Sequence, residues 1–321
     1  PAPRQLCTFM EIIGRLFPRS FGRFRAPVYT LRAPKHGTRG ANRRSVIFDP
    51  QGVLDRMERA SVRHETPCGV GRMVWRAWGD GTPLVLLHGG TGSWRHWVRN
   101  IEAFAGARSV VCPDLPGLGC SDMPPDPENP PAMAAILARG LDQVIGRDTR
   151  YDLAGFSFGG VLGGVLAARD TGRVRSVTIV GSGGLGLPRG TTQLVKVRHL
   201  EGEARNAAHR TNLARLMIAD PAKIDDLALL IQDWNTRHSR LKSPLISRGT
   251  WLRDALTGLR CHVNAIYGGL DAPSLPDIGA RERAMRAVQP ELRFRAIAGA
   301  GHWVAYEAAA IFNATLRDML E

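Results

Sequence analysis

Residues 151–160 read YDLAGFSFGG, and this segment carries the strongest structural signal in the chain. An apolar strand-like run enters it at 151–154, and a helix rich in small residues is predicted to leave it over 158–169. Between them, residues 155–159 fit the pattern GxSxG, in which a serine lies on a tight turn from strand to helix. Glycine is needed on both sides of Ser157, because a Cβ there would collide with the neighbouring strand or helix.

Short apolar runs separated by helix-like segments continue on both sides of this turn. Strands are predicted at 71–78, 83–87, 109–112, 151–154, 174–180, 262–267 and 292–297. Helices are predicted at 94–104, 132–145, 158–169, 278–288 and 304–320. This alternation is typical of an α/β protein with a doubly wound, mostly parallel sheet.

The alternation stops between residues 187 and 256, where helix-like, charged sequence intervenes before the next strand. A compact domain rarely contains so long a loop, so we expect a helical lid inserted into the sheet domain. The resulting organisation is a flexible basic extension at 1–60, the core at 61–186, the lid at 187–256 and the rest of the core at 257–321.

The net charge of +14 is unevenly distributed along the chain. Residues 1–45 hold ten Lys or Arg against one acid, residues 187–256 hold twelve against seven, and the remainder is balanced. A polyanion-binding surface over the whole protein is therefore disfavoured, and we expect no nucleic-acid partner. The tail is typical of a targeting segment or a loose basic arm, with binding of acidic lipid or nucleic acid by that arm as an alternative. The basic lid favours an anionic group on the substrate.

Composition excludes several other classes of protein. The longest apolar runs, such as 83–87 and 174–180, are too short to span a bilayer, so no integral membrane segment is expected. The five cysteines are an odd number without a CxxC pair, which favours reduced thiols, a cytoplasmic location and no structural metal.

A serine hydroxyl needs a base to become a nucleophile, and the base needs a group that orients it. Of the nine histidines, His302 is the candidate base, because it lies in a glycine-containing loop after a predicted strand. The turn at His88 indicates a backbone role for that histidine. Asp271, which follows the strand at 262–267, is the candidate acid. Its rivals, all in helix-like surroundings, are Asp226, Asp254 and Asp277.

Two backbone N–H groups are needed to bind an oxyanion. The residue after the serine, Phe158, supplies the first candidate. The second is expected from the turn in residues 84–92, which read LVLLHGGTG, with Gly90 preferred over Thr91. A phosphate-binding loop is disfavoured, because no Lys follows this turn and GxGxxG is absent.

These motifs, together with DLPGLGCSD at residues 114–122, resemble the α/β-hydrolase superfamily over about residues 70–186 and 257–321. The resemblance implies a doubly wound sheet, a cap domain, no cofactor, and hydrolytic acyl chemistry with the order Ser157, Asp271, His302. It disfavours dehalogenases and epoxide hydrolases, which use an aspartate where this chain has Ser157.

A narrower resemblance is to the hydrolases that cleave C–C bonds in meta-ring-cleavage products. Residues 99–101 (RNI) and 301–307 (GHWVAYE) carry it, whereas the turn HGGTGS and the absence of a matching cap arginine depart from it. Thr91, Phe156 and Trp303 are the predicted pocket residues.

The sequence therefore predicts a serine hydrolase that acts on a small carbonyl compound, most simply a carboxylic ester. A C–C hydrolase, a perhydrolase and an acyltransferase share the same triad and stay open. The alternative from another class is a ligand-sensing protein with little turnover. The sequence does not define the oligomeric state.

Overall fold

A computed structural model describes residues 49–321 of the chain. The predicted extension at 1–60 therefore lies largely outside the described residues, but its last part was assigned wrongly. Helix α1 (Pro50–Arg59) is ordered, and it buries Leu54 and Met57 against the core. Its first residue is a proline, which suits the first turn of a helix because that N–H has no partner within the helix.

Eight strands of the described region form one sheet in the order β1-β2-β4-β3-β5-β6-β7-β8. They are β1 (Val62–Cys68), β2 (Gly71–Trp78), β3 (Leu84–Leu87), β4 (Val110–Pro113), β5 (Tyr151–Phe156), β6 (Val174–Val180), β7 (His262–Gly268) and β8 (Arg293–Ile297). The strands β1 and β2 run antiparallel to their neighbours, and the rest of the sheet is parallel. All seven predicted strands are confirmed. The edge strand β1 was missed, because most of its side chains are exposed or half-buried and it lacks an apolar run.

Helices cover both faces of the sheet, as predicted for a doubly wound fold. They are α2 (Ile101–Ala105), α3 (Pro130–Val144), α4 (Phe158–Arg169), α5 (Gly202–Asn212), α6 (Asp226–Arg237), α7 (Pro244–Arg248), α8 (Trp251–Leu256), α9 (Ile278–Arg286), α10 (Val304–Glu307) and α11 (Ala309–Leu320). One apolar layer includes side chains of α3, α4, α8 and α9, and the other includes side chains of α1, α2, α6 and α11.

Two predicted helices are interrupted. The segment 94–104 begins as a 3-10 turn, Trp94–Trp97, before α2. The segment 304–320 breaks at Ala308, whose φ of −123° and ψ of 42° are not helical. This break separates the short α10 from α11.

The segment 187–256 is mostly helical, but its end differs from the prediction. Leu252 and Leu256 of α8 are buried in the same apolar layer as Val161 of α4. A Cβ built on Gly164 of α4 would lie 2.5 Å from Leu252 Cδ1, so these two helices are in close contact. Helix α8 thus belongs to the core. Apolar periodicity reveals that a helix has a buried face but does not reveal what covers that face.

Parallel strands place their carboxyl ends at one edge of a sheet, where ligands of doubly wound folds bind. The loops that follow β3, β5, β7 and β8 therefore meet at a common edge. Within residues 49–321, no helix combines the length and the apolar composition needed to cross a bilayer.

Candidate active site

Ser157 lies on the tight turn between β5 and α4. Its φ of 52° and ψ of −114° fall outside the usual regions for a side-chain-bearing residue. Its backbone N–H donates to the carbonyl oxygen of Val180 at 2.8 Å, which ties the turn to β6. A Cβ on Gly155 would lie 2.3 Å from the oxygen of Gly159, and one on Gly159 would lie 2.4 Å from the oxygen of Leu87. The expected need for glycine at 155 and 159 is confirmed.

The structure brings Ser157, Asp271 and His302 together although they are far apart in the sequence. His302 Nε2 lies 3.1 Å from Ser157 Oγ, and His302 Nδ1 lies 2.9 Å from Asp271 Oδ2. Since a carboxylate accepts, the Nδ1–H donates to Asp271, which leaves Nε2 as an acceptor for the serine hydroxyl. Asp271 Oδ1 also accepts from the Ser274 N–H at 3.1 Å. These contacts form the arrangement of a nucleophile, a base and an orienting acid.

Two members of this triad are closely packed. Asp271 is fully buried and His302 is 4% exposed. Gly181 at the end of β6 has a φ of 54°, and a Cβ there would lie 2.9 Å from Asp271 Oδ2. A larger residue at 181 would therefore push the acid away from the imidazole.

The loop that carries His302 is held by Glu307, a residue that the sequence reasoning missed. The buried Glu307 carboxylate accepts from the N–H groups of Gly301 at 2.6 Å, Ala219 at 3.0 Å and Asp220 at 2.8 Å. It thereby joins the His302 loop to the 187–256 segment. The run GHWVAYE that ends at Glu307 was noted as a resemblance, but no role was assigned to the glutamate.

The two candidate oxyanion donors lie beside the serine. An ideal Cβ on Gly90 would be 3.7 Å from Phe158 Cβ, so the two backbones approach closely. Among residues 49–321, neither the Gly90 N–H nor the Phe158 N–H donates to a protein acceptor. Both N–H groups are therefore free for a ligand. Thr91, the fallback, has a φ of 51°.

Two buried histidines shape the turn that contains Gly90. His88 Nδ1 donates to the Gly89 carbonyl at 2.8 Å and its Nε2 accepts from the Leu115 N–H at 2.8 Å, which confirms the expected backbone role. His96 Nδ1 accepts from the Gly89 N–H at 3.3 Å. Burial, reinforced by His88 and His302, holds the pKa of His96 well below its ordinary value, so this ring is neutral.

The DLPGLGCSD segment also stabilises the backbone near this turn, through hydrogen bonds of its side chains. Asp114 Oδ1 accepts from the Trp94 N–H and its Oδ2 accepts from the Cys120 N–H, both at 2.9 Å. Ser121 Oγ donates to the Asp114 carbonyl at 2.6 Å. This segment is thus a scaffold for the turn and supplies no reacting group.

A cavity of about 1030 Å³ opens above Ser157 and His302. Gly90, Thr91 and Phe156 line it, in agreement with their predicted positions. Trp303 does not, so its assignment to the pocket was wrong. Its indole is fully buried, donates to the His96 carbonyl at 2.8 Å and stacks on Tyr306, which makes it a core residue.

The remaining wall of the cavity comes from the 187–256 segment, between Arg189 and Ser247. Ser93 Oγ donates to Asn235 Oδ1 at 2.7 Å, and the Arg95 guanidinium lies 3.6 Å from the ring centroid of Trp234. Both contacts attach α6 to the turn near Gly90. In the described part of the chain, no three His, Cys, Asp or Glu side chains converge on a point that could hold a metal ion.

A sequence model described as the alpha/beta hydrolase family matches residues 84–315. The chain belongs to this family. This match covers the sheet from β3 onward, the serine turn, and the loops of Asp271 and His302. It confirms the superfamily resemblance and the fold class.

Individual relatives match either a short part of the chain or a longer part at lower identity. The chain is 34% identical over 113 residues to a 2-hydroxymuconate semialdehyde hydrolase of Pseudomonas sp. (strain CF600), covering 34% of this chain and 40% of that protein. It is 26% identical over 261 residues to a 2-hydroxy-6-oxo-6-phenylhexa-2,4-dienoate hydrolase of Burkholderia cepacia, covering 75% and 88% of the two chains. The chain thus spans less than half of the first of these relatives.

A crystal structure of an esterase from Rhodococcus sp. ECU1013 is similar in fold. It superposes with a TM-score of 0.66 at 23% identity, over 81% of this chain and 98% of that one. At this level of identity, the likeness concerns the fold alone.

Proposed function

We propose that this protein is a serine hydrolase that cleaves small carboxylic esters. The observation that carries the proposal is the chain of contacts from Ser157 Oγ to His302 Nε2 at 3.1 Å and from His302 Nδ1 to Asp271 Oδ2 at 2.9 Å. These contacts lie at the base of a cavity of small-molecule size. Membership of the alpha/beta hydrolase family supports the same reaction class.

In the proposed mechanism, His302 removes the Ser157 proton as Oγ attacks the ester carbonyl. The carbonyl oxygen becomes an oxyanion that accepts from the N–H groups of Phe158 and Gly90. Asp271 stabilises the imidazolium and keeps its ring oriented. His302 then protonates the leaving alcohol, and an acyl group stays on Ser157. Water, deprotonated by His302, attacks this acyl group, releases the carboxylic acid and restores the serine.

Labelling with a fluorophosphonate tests this proposal, because the reagent reacts with an activated serine. We expect the wild-type chain to be labelled and Ser157→Ala to stay unlabelled. Ser274→Ala is a matched control, since Ser274 lies near the triad but only its backbone N–H contacts Asp271. Equal labelling of wild type and Ser157→Ala would contradict the proposal.

Hydrolysis of a C–C bond is the second candidate function. It is favoured by the relative from Burkholderia cepacia, which this chain matches over 88% of that enzyme's length. A direct comparison of p-nitrophenyl esters with a 2-hydroxy-6-oxo-dienoate separates the two candidates. Faster turnover of the dienoate would favour C–C cleavage, and turnover of neither would favour a ligand-sensing protein.

The 187–256 segment acts as the lid of this site in our proposal, up to the end of α7. It contributes most of the cavity wall facing Ser157.

The described cysteines, 68, 112, 120 and 261, are all free thiols, which supports the cytoplasmic location predicted from composition.

A further inference from the structure

The cavity above Ser157 is strongly basic. Among residues 49–321, seven Lys or Arg side chains line it and no Asp or Glu does. Three of these cations have protein partners. Arg205 and Arg237 pair with Asp233, and Arg240 donates to the carbonyl oxygens of Gly119 and Ser121. These ion pairs and hydrogen bonds stabilise the cavity wall.

The other four cations have no such role. Arg189, Lys196, Arg198 and Lys242 form no ion pair or hydrogen bond with the described part of the chain. Lys196, Arg198 and Lys242 are exposed, whereas Arg189 is half-buried. An exposed cation is solvated by water, but a half-buried guanidinium loses part of that solvation. Arg189 is therefore the cation whose lost hydration is not replaced by hydrogen bonds from the described part of the chain.

The backbone around Arg189 is fixed on both sides. The buried Arg281 donates from its Nη2 to the Pro188 carbonyl at 2.5 Å and to the Pro273 carbonyl at 3.3 Å. The Gly190 N–H also donates to the Pro273 carbonyl, at 3.2 Å. Arg189 is thus presented from an anchored segment next to the loop of Asp271.

In the described part of the chain, the acid that acts on Arg189 is Asp271, and it is already engaged. Arg189 lies with Ser157 and His302 along a narrow cleft that opens into the main cavity. Burial lowers the pKa of its guanidinium, Asp271 opposes this shift, and the neighbouring Arg248 and Arg281 reinforce it. Both oxygens of Asp271 accept hydrogen bonds, from His302 and Ser274. Arg189 therefore has free donors that face the reaction site.

We propose that Arg189 binds a carboxylate or phosphate group of the substrate while the reactive carbonyl lies at Ser157. A guanidinium fits either group, because its planar N–H donors match two anionic oxygens at once. Lys196, Arg198 and Lys242 raise the positive potential around this group. The proposal rests on the proposed function and specifies its substrate as an anionic ester.

Two esters of equal acyl length test this specificity. Mono-p-nitrophenyl glutarate carries a carboxylate, and p-nitrophenyl pentanoate carries none. We expect the wild-type chain to prefer the glutarate ester in kcat/KM, and Arg189→Gln to reduce the ratio of the two values by about tenfold to a hundredfold. The ratio cancels any general loss of activity. Lys223→Gln is the matched control, because Lys223 is an exposed cation of the same segment that does not line the cavity, so we expect it to leave the ratio unchanged.

Calorimetric titration with glutarate and with inorganic phosphate reads the same site without turnover, and the tighter ligand identifies the preferred anion. We expect Arg189→Gln to weaken binding at least about tenfold relative to Lys223→Gln. A wild-type chain that hydrolyses pentanoate but binds neither anion overturns this inference and leaves the proposed function intact. Binding through Arg189 in a chain that no fluorophosphonate labels overturns the proposed function and leaves the anion site. An equal shift of the pH profile for both esters in Arg189→Gln, with an unchanged ratio, would mean that Arg189 acts on Asp271 instead.

Discussion

The loops that carry the triad and the 187–256 segment line the same cavity, but they differ in how far their polar groups are hydrogen-bonded. In the loops, Asp271 has partners for both carboxylate oxygens and Glu307 accepts three backbone N–H groups. In the wall, Lys196, Arg198 and Lys242 have no partner among residues 49–321. The reacting groups are thus placed by a fully satisfied, buried network, whereas the groups proposed to recognise the substrate keep donors free. In our proposal, reaction and specificity are therefore supplied by separate parts of the chain.

The largest effect should come from the buried acid. Asp271→Asn replaces an acceptor of the His302 Nδ1–H by an amide and favours the wrong tautomer, so kcat for a p-nitrophenyl ester should fall about 10⁴-fold. Asp277→Asn is the control, since Asp277 is exposed and accepts only from the Ala280 N–H and an arginine. We expect its kcat to be close to wild type. A fall of less than about tenfold in Asp271→Asn would show that another acid orients the base.

The rigidity of the serine turn is tested by two glycines of α4. Gly159→Ala places a methyl group 2.4 Å from the Leu87 oxygen, so the free energy of unfolding should drop by about 3 kcal/mol. Gly163→Ala meets nothing closer than 3.5 Å and should be neutral or gain about 0.5–1 kcal/mol. Urea unfolding measures both. Equal effects of the two substitutions would mean that the turn is more adaptable than its geometry indicates.

The link between the two regions is tested at Glu307. Glu307→Gln puts an amide donor where the Gly301, Ala219 and Asp220 N–H groups need acceptors, which should cost about 1–3 kcal/mol of stability. Because the loop of His302 loses its anchor, kcat should also fall by about tenfold or more. Glu282→Gln, on α9, is the control and should change neither quantity. Loss of stability with unchanged kcat would show that the His302 loop is held by other contacts.

The buried histidines predict how stability depends on pH. Burial lowers the pKa of His88 and holds that of His96 well below its ordinary value, so below about pH 6.5 the folded state binds fewer protons at these rings than the unfolded chain does. The unfolded state then holds more protons, and stability falls as the pH decreases from about 6.5 towards 5, by up to about 1.4 kcal/mol per pH unit for each histidine.

The variant His96→Gln checks this contribution. It keeps an acceptor for the Gly89 N–H but removes the titration, so its unfolding free energy should vary less steeply in that pH window. Urea titrations at several pH values give the slope. An unchanged slope would mean that folding does not lower the pKa of His96.

How much of this could be predicted from the sequence depends on the type of signal. The triad could be predicted, because each member follows a recognisable strand and parallel strands end at one edge of the sheet. The distances of 3.1 Å and 2.9 Å could not be predicted, since they depend on loop conformations. Strand β1 was missed because its mostly exposed, polar residues show no alternation of apolar and polar side chains.

Residues that act through tertiary contacts left no local signal. Glu307 ends the mostly apolar run GHWVAYE and Arg189 lies at the start of the charged 187–256 segment, and only the folded chain shows what these two side chains face. Trp303 was assigned to the pocket from a resemblance to a family motif, but its ring points into the core. The end of the insertion was misplaced for a related reason, since α8 packs on α4 rather than over the cavity.

The left-handed backbone of Ser157 has a consequence for protein engineering. Ser157 is the N-cap of α4, a position where glycine is ordinarily tolerated better than alanine, and a φ of 52° penalises any residue with a Cβ by about a further 1–2 kcal/mol. Ser157→Gly should therefore melt at a higher temperature than Ser157→Ala. Under selection for thermal tolerance alone, this position would drift towards glycine, so efforts to stabilise the chain need an activity screen that protects the hydroxyl.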